Sequence, residues 1–243
     1  MKKFYAPDLS DKRIEYACKT LEKSGYQKCD NVKNSDFVVL GVNPNKNEIS
    51  YDIPVFAGNI KADNIFDYTK EETFALENAY LTAESALALA VSESPKSLIN
   101  SKCLIVGYGR IGNALHKYLS AFTCDITVCA RSCNSRTLAR SKNADVMDLE
   151  ALKNESDFDF VFNTVPHPVF NEKEISALKK GALVIDLASF PGGVDKHIAK
   201  SNGIHLIIAR GLPAKFSPKT AGEIVADTID KMIKSKFYKE VSV

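Results

Sequence analysis

Little in this 243-residue sequence is in excess. Lysine plus arginine (32) nearly balance aspartate plus glutamate (30), and a formal net charge of +2 leaves no bulk field to draw the chain to nucleic acid or to an anionic membrane. No apolar run approaches the length of a bilayer span. Met1-Lys2-Lys3 is followed by only a short apolar stretch before charges return, which predicts neither signal peptide nor membrane anchor and places the protein in the cytoplasm. The six cysteines, at 18, 29, 103, 124, 129 and 133, form no CxxC pair. Cys124, Cys129 and Cys133 come nearest to a metal pattern, but no neighbouring histidine offers a fourth ligand, so free thiols in a reducing compartment and no metal are expected. Repeats and low-complexity tracts are absent, and the lysine-rich end (Lys231, Lys234, Lys236, Lys239) reads as a solvated helix tail.

What the sequence does hold is one dense stretch, KCLIVGYGRIG at 102–112. Residues 103–106 read as a buried strand. Gly107 makes the tight turn, Gly109 lets a pyrophosphate approach the backbone, and Gly112 lets helix and strand pack closely, with Arg110 and Ile111 in the first helical turn facing the phosphates. A lone GxGxxG also occurs in ordinary turns. Here an amphipathic segment follows at 113–121 and a second strand at 125–130, the context that a dinucleotide fingerprint requires. An NAD-selective site carries an acidic residue at the end of that second strand, roughly 20 residues past the glycines, to hold the ribose 2′-hydroxyl. This chain has Ala130, Arg131 and Ser132 there, with Arg136 one turn on, which suits the 2′-phosphate of NADP; Arg131 as a solvated surface charge is the competing reading.

Along the chain, residues 4–6, 37–40 and 55–57 read as strands around a helix that Ser10 caps, with Ile14, Ala17, Cys18 and Leu21 on its apolar face and Gly25 ending it. The polar stretch 43–50 reads as a turn. Two helices are expected at 71–79 and 83–91, Thr82 capping the second, before a connector containing Pro95. Further strands at 144–147, 158–163, 183–187 and 204–209 alternate with helices, and Ser217 and Pro218 start a last helix. The fold class is therefore α/β: a doubly wound parallel (Rossmann) sheet with a second, smaller α/β domain. Residues 1–81 with the C-terminal helix 218–236 form the small substrate-side domain, 82–100 the connecting helix and linker, and 101–217 the NADP-binding domain. A cleft between the two domains, hinged near 92–101 and 211–217, is expected to hold the chemistry.

Seven stretches carry a more specific signal: VFAGNI at 55–60, LTAESALALA at 81–90, VGYGRIGNAL at 106–115, VCARS at 128–132, FNTVP at 162–166, IDLASFPGGVD at 185–195 and GLPAKFSPKTAG at 211–222. In order and spacing the chain resembles the dipicolinate synthase family, on the side of its first, oxidoreductase subunit. The resemblance implies oxidation of dihydrodipicolinate to dipicolinate with NADP as hydride acceptor, a small dicarboxylate substrate, a flavodoxin-like partner (the second dipicolinate synthase subunit), and expression in the mother cell during sporulation. Homo-oligomerisation is also compatible. Three departures stand out: an amino-terminal lobe shorter than the family's, Phe190 where the family commonly has a basic residue, and Ala214 in place of a glycine.

A substrate of that kind needs cations and N–H groups for its carboxylates more than it needs a strong base, because aromatisation supplies driving force. Lys219, in the first turn of the last helix beside Ser217 and Thr220, could supply a point charge, hydroxyls and a helix terminus together; a surface lysine is the alternative. Arg210 is a second cation for the same carboxylate. Thr82 and Glu84 are placed at the helix start facing the cleft, Thr82 equally readable as a cap. Asn163, Thr164, Val165 and Pro166 are expected to border the nicotinamide ribose, and Ser189 and Gly192 its carboxamide. His167, the histidine at a strand's carboxyl end, is the candidate proton acceptor, with an exposed loop histidine as the other reading; His116, His197 and His205 are taken as structural. A different small-acid or cyclohydrolase-type NADP dehydrogenase of the same plan, or a non-catalytic cofactor-binding subunit, are the rival functions.

Overall fold

A computed structural model describes residues 2–45, 49–154 and 157–237. The turn expected at 43–50 lies partly outside them, and Lys239 wholly. In chain order the first elements are β1 (Lys3–Tyr5), α1 (Lys12–Lys23), β2 (Gln27–Cys29), β3 (Phe37–Val42), β4 (Val55–Gly58), β5 (Ile65–Asp67) and α2 (Glu72–Glu93). Then come β6 (Lys102–Val106), α3 (Arg110–Ser120), β7 (Asp125–Cys129), α4 (Cys133–Arg140), β8 (Asp145–Met147) and β9 (Phe160–Asn163). The chain continues through α5 (Glu172–Ala177), β10 (Leu183–Asp186), α6 (Lys196–Ser201), β11 (His205–Ile208), α7 (Leu212–Phe216) and α8 (Pro218–Phe237). It divides into two compact units, Met1–Asn78 with Pro213–Val243, and Ala79–Leu212, the divisions falling inside α2 and α7.

The first unit is a parallel five-stranded sheet in the order β2-β1-β3-β4-β5. Its apolar core takes Phe4, Phe37 and Phe56 from the strands, Ile14, Ala17 and Leu21 from α1, and Val225, Ile229 and Ile233 from α8. The two helices approach closely at Gly222, where an added side-chain carbon would lie 2.7 Å from Tyr16 Cβ and 3.0 Å from the Ala17 nitrogen. Tyr26 donates to Asp230 across the same unit at 2.8 Å. The helix start differs from expectation by one residue. Asp11, not Ser10, caps α1, because its carboxylate accepts both the Arg13 N–H at 2.9 Å and the Arg13 guanidinium at 2.6 Å. Strands β2 and β5 are absent from the sequence-based expectation; each is three residues long, at an edge of the sheet, and without a buried face.

The second unit is the doubly wound sheet, all parallel, in the order β11-β10-β9-β6-β7-β8. Both faces are covered. Along β6, Cys103 and Ile105 enter one core and Leu104 and Val106 the other, which is the pattern of a strand buried on two sides. Chain order reverses between β6 and β9, so the carboxyl ends of those neighbouring strands form the switch point where such sheets receive ligands. The pair of helices expected around Thr82 is a single helix: nothing between residues 72 and 93 is Gly or Pro, and Thr82 sits buried in the middle of α2 rather than at a helix start.

Candidate active site: the glycine turn and its neighbours

Each glycine of the motif has its own reason. Gly107 leaves β6 with φ +90° and donates its N–H to the Cys129 carbonyl at 2.8 Å, tying the turn to β7. Across the switch point the Thr164 N–H and hydroxyl both reach the Val106 carbonyl, at 2.8 and 2.9 Å, and a side chain on Gly107 would collide with Thr164 and Val165. At Gly112 a side chain would collide with the Gly107 carbonyl oxygen, so α3 can lie this close to β6 only without one. Gly109 is different. It occupies the N-cap position of α3 without any side-chain cap, and a carbon added there meets no atom within 4 Å. The amino end of α3 is thus open directly over Gly109, with Arg110 and Ile111 in its first turn, which leaves room for an anionic group against main-chain N–H donors.

At the end of β7, Arg131 is exposed. Ser132 caps α4, its hydroxyl accepting from the Ser135 N–H at 3.5 Å. Arg136 folds back over the turn, its Nη1 donating to the Ala130 and Arg131 carbonyls at 2.6 and 2.8 Å. Arg136 therefore braces the loop that presents Arg131. No acidic side chain follows Cys129 before α4.

Beside the switch point lies a polar pair that sequence reading did not assemble. Asn163, fully buried at the end of β9, donates to Asp186 Oδ1 at 2.7 Å and to the Val165 carbonyl at 3.1 Å, while its own carbonyl accepts from the Val165 N–H at 3.1 Å. Asp186, equally buried at the end of β10, also accepts from the Ala188 and Gly193 N–H groups at 3.2 and 3.1 Å. The buried acidic side chain is tolerated because three donors meet its oxygens. Asn163 is thereby committed to shaping the two turns, 164–168 and 188–193. The signal in the sequence was an aspartate closing the wholly apolar strand Leu-Val-Ile-Asp, a position that demands a partner.

Arg210 continues the same scaffold: Nε and Nη2 reach the Ala188 and Pro191 carbonyls at 3.3 and 3.0 Å, and its guanidinium lies 5.7 Å from the ring of Phe190, which is 83% exposed. Ser189, Pro166 and His167 are exposed on these turns. In the first unit, Lys219 and Thr220 are exposed in the first turn of α8 and Ser217, whose carbonyl accepts from the Ala221 N–H at 2.9 Å, is half-buried. Glu84 is exposed on α2. A cavity of about 830 Å³ also exists in the second unit, but its walls, among them Lys102, Asp125, Asp145 and Phe158, are the amino ends of the strands, opposite the glycine turn.

Comparison with known proteins gives this geometry a lineage. Residues 78–190 match the family described as D-isomer specific 2-hydroxyacid dehydrogenase, NAD binding domain. The first subunit of dipicolinate synthase from Bacillus subtilis (strain 168) is 31% identical over 167 residues, 68% of this chain and 56% of that protein. This chain is a homologue of the first dipicolinate synthase subunit. The match spans a little over half the length of that curated relative. The crystal structures of the same dipicolinate synthase subunit from Bacillus subtilis and Bacillus halodurans superpose with a TM-score of 0.84 each, at 22% and 21% identity, covering 96% of this chain and 96% and 97% of theirs. The second unit is accordingly an NAD(P)-binding domain of the oxidoreductase type.

Proposed function

We propose that the protein oxidises dihydrodipicolinate to dipicolinate with NADP as acceptor, the observation that carries the reading being the uncapped, open amino end of α3 at Gly109 in a homologue of the first dipicolinate synthase subunit. The cofactor's part in this chemistry is to accept a hydride as the ring becomes aromatic. Gly107, Gly109 and the first turn of α3 hold its pyrophosphate. Arg131, held out by the Arg136 brace, and Ser132 face the 2′-phosphate, where an acidic residue would repel it. Thr164 to Pro166 and Ser189 border the nicotinamide end, on turns fixed by the buried Asn163–Asp186 pair. Lys219, with Ser217 and Thr220, binds one substrate carboxylate, Arg210 and Glu84 serve substrate positioning, and His167 accepts the proton.

A dianionic ring needs more cations than this set offers, and Phe190 contributes none. A flavodoxin-like second subunit completes the substrate site, leaving this chain alone able to bind cofactor but nearly inactive. The test is dipicolinate absorbance with this chain alone, with the second subunit, and with Lys219→Ala plus the second subunit. Lys219→Ala is expected to remove product formation by more than tenfold while NADP affinity stays within a few-fold. Full activity from the chain alone rejects the shared site, and an unaffected variant rejects the lysine's role. A second reading, oxidation of a small 2-hydroxy acid, is favoured by the family match over 78–190; turnover of such acids in place of dihydrodipicolinate would select it.

A further inference from the structure

The residue between the first two glycines of the motif, Tyr108, has a side chain that does not face the open end of α3. It turns inward, 7% exposed, and its hydroxyl lies 2.5 Å from Nδ1 of His116, which is 2% exposed on the second turn of α3. A phenol hydroxyl both donates and accepts, so it can satisfy that buried nitrogen in either tautomer of the ring. Lys142 reaches the same turn by its side chain: its Nζ donates to Asn113 Oδ1 at 2.9 Å and lies 5.9 Å from the centre of the Tyr108 ring. Asn113 Nδ2 in turn donates to the Tyr108 and Gly109 carbonyls at 3.1 and 2.9 Å. Two supports therefore meet behind one turn, the Tyr108–His116 pair and Lys142 acting through Asn113.

We propose that Tyr108 and His116 are positioning residues for the dinucleotide: their hydrogen bond, together with the Asn113 bonds to the Tyr108 and Gly109 carbonyls, locks the backbone of 107–110 from behind so that its outward face is set before the phosphates arrive. Two points favour this over simple core packing. A turn filled for stability alone would place an apolar side chain at 108, whereas here a buried hydroxyl meets a buried imidazole, and loss of the hydroxyl strands the ring nitrogen. Asn113 also holds the carbonyls of Tyr108 and Gly109, fixing the orientation of the peptide planes around the residue whose open side meets the ligand.

Burial, and next the charge of Lys142, hold the His116 pKa below the ordinary imidazole value, which favours the neutral ring in this bond.

This inference rests on the cofactor reading above, and the experiment separates the two. NADPH and NADH are titrated into wild type, Tyr108→Phe, His116→Leu and His116→Asn, whose amide oxygen can stand where Nδ1 does, with thermal melting recorded for each. Tyr108→Phe and His116→Leu are expected to bind the preferred cofactor about tenfold more weakly, with kcat at saturating cofactor within about twofold. His116→Asn restores most of the affinity. Wild-type affinity in Tyr108→Phe overturns the proposal, as does a fall in melting temperature of both damaging variants with no change in affinity. Failure of wild type to bind either cofactor overturns the cofactor reading itself, and this proposal with it.

Discussion

Gly109 and Gly112 stand three residues apart in one motif, yet alanine at each should fail in a different way. At Gly109 the backbone angles, φ −83° and ψ −155°, suit any L residue, and an added methyl meets no protein atom within 4 Å. The cost to the fold is the difference between Gly and Ala as an N-cap, about 1 kcal/mol, reduced by the ~0.4–1 kcal/mol gained from a less flexible unfolded chain. Stability should change by less than about 1 kcal/mol. The methyl occupies the space that the proposed cofactor reading gives to the pyrophosphate, so dinucleotide affinity should fall at least about tenfold, or ~1.4 kcal/mol. At Gly112 the methyl falls on the Gly107 carbonyl oxygen, with the carbonyl carbon at 3.1 Å. A main-chain carbonyl in a turn that the Gly107-to-Cys129 hydrogen bond anchors from the preceding peptide group cannot swing aside as a side chain could. Overpacking of about 1–3 kcal/mol is expected, together with a displaced turn and lost affinity. Urea midpoints from far-ultraviolet circular dichroism report the first quantity, and NADPH fluorescence titration, in a chain without tryptophan, the second. Wild-type affinity in Gly109→Ala, or a larger stability loss there than in Gly112→Ala, would refute the reasoning.

Other substitutions probe other parts. Arg131→Ala should abolish a preference for NADP over NAD without altering NAD affinity; equal affinities in the wild type remove the 2′-phosphate assignment. Asp159, 6% exposed, accepts from Lys179 at 2.5 Å, Lys96 at 2.6 Å and the Lys102 N–H at 3.0 Å. Burial alone would raise its pKa, but these donors outweigh burial and hold it down at about 2, against an ordinary 3.8. The folded value is depressed, so the stabilisation, about 2–3 kcal/mol, is complete above about pH 4 and is lost as pH falls toward 2. Asp159→Asn should lower the urea-unfolding free energy by about 2–3 kcal/mol at pH 7 and by far less near pH 2; a pH-independent difference contradicts the ion-pair account.

What could be read from the sequence was whatever is local. The glycine spacing after an apolar strand located the turn, because φ +90° at Gly107 and the collision at Gly112 are demands that one residue type meets. The alternation of strands with helices gave the winding of the second sheet. Strands β2 and β5 were missed because three half-exposed residues at a sheet edge carry no apolar period, and the break expected at Thr82 failed because a threonine that could cap a helix also fits inside one whose neighbours bury it. The pairs Asn163 with Asp186 and Tyr108 with His116 were illegible for a different reason. Their members come from separate strands or from a turn and a helix, and only the packed sheet brings them within 2.7 and 2.5 Å. Arg136, within α4, and Arg210, on the turn after β11, could be read as cations near the strands' carboxyl ends, but their hydrogen bonds to main-chain carbonyls depend on how those turns fold.

The central claim is that hydride leaves a dihydropyridine dicarboxylate for NADP on this protein. Its most direct test is to supply dihydrodipicolinate with NADP, with NAD, or with neither, to the chain together with the proposed flavodoxin-like second subunit, and to follow NADPH and dipicolinate absorbance in the same cuvette. One NADPH should appear per dipicolinate, with NAD markedly slower and no enzyme-dependent product without a cofactor. Dipicolinate formed without NADPH, or no dipicolinate while another small acid reduces NADP, would contradict it.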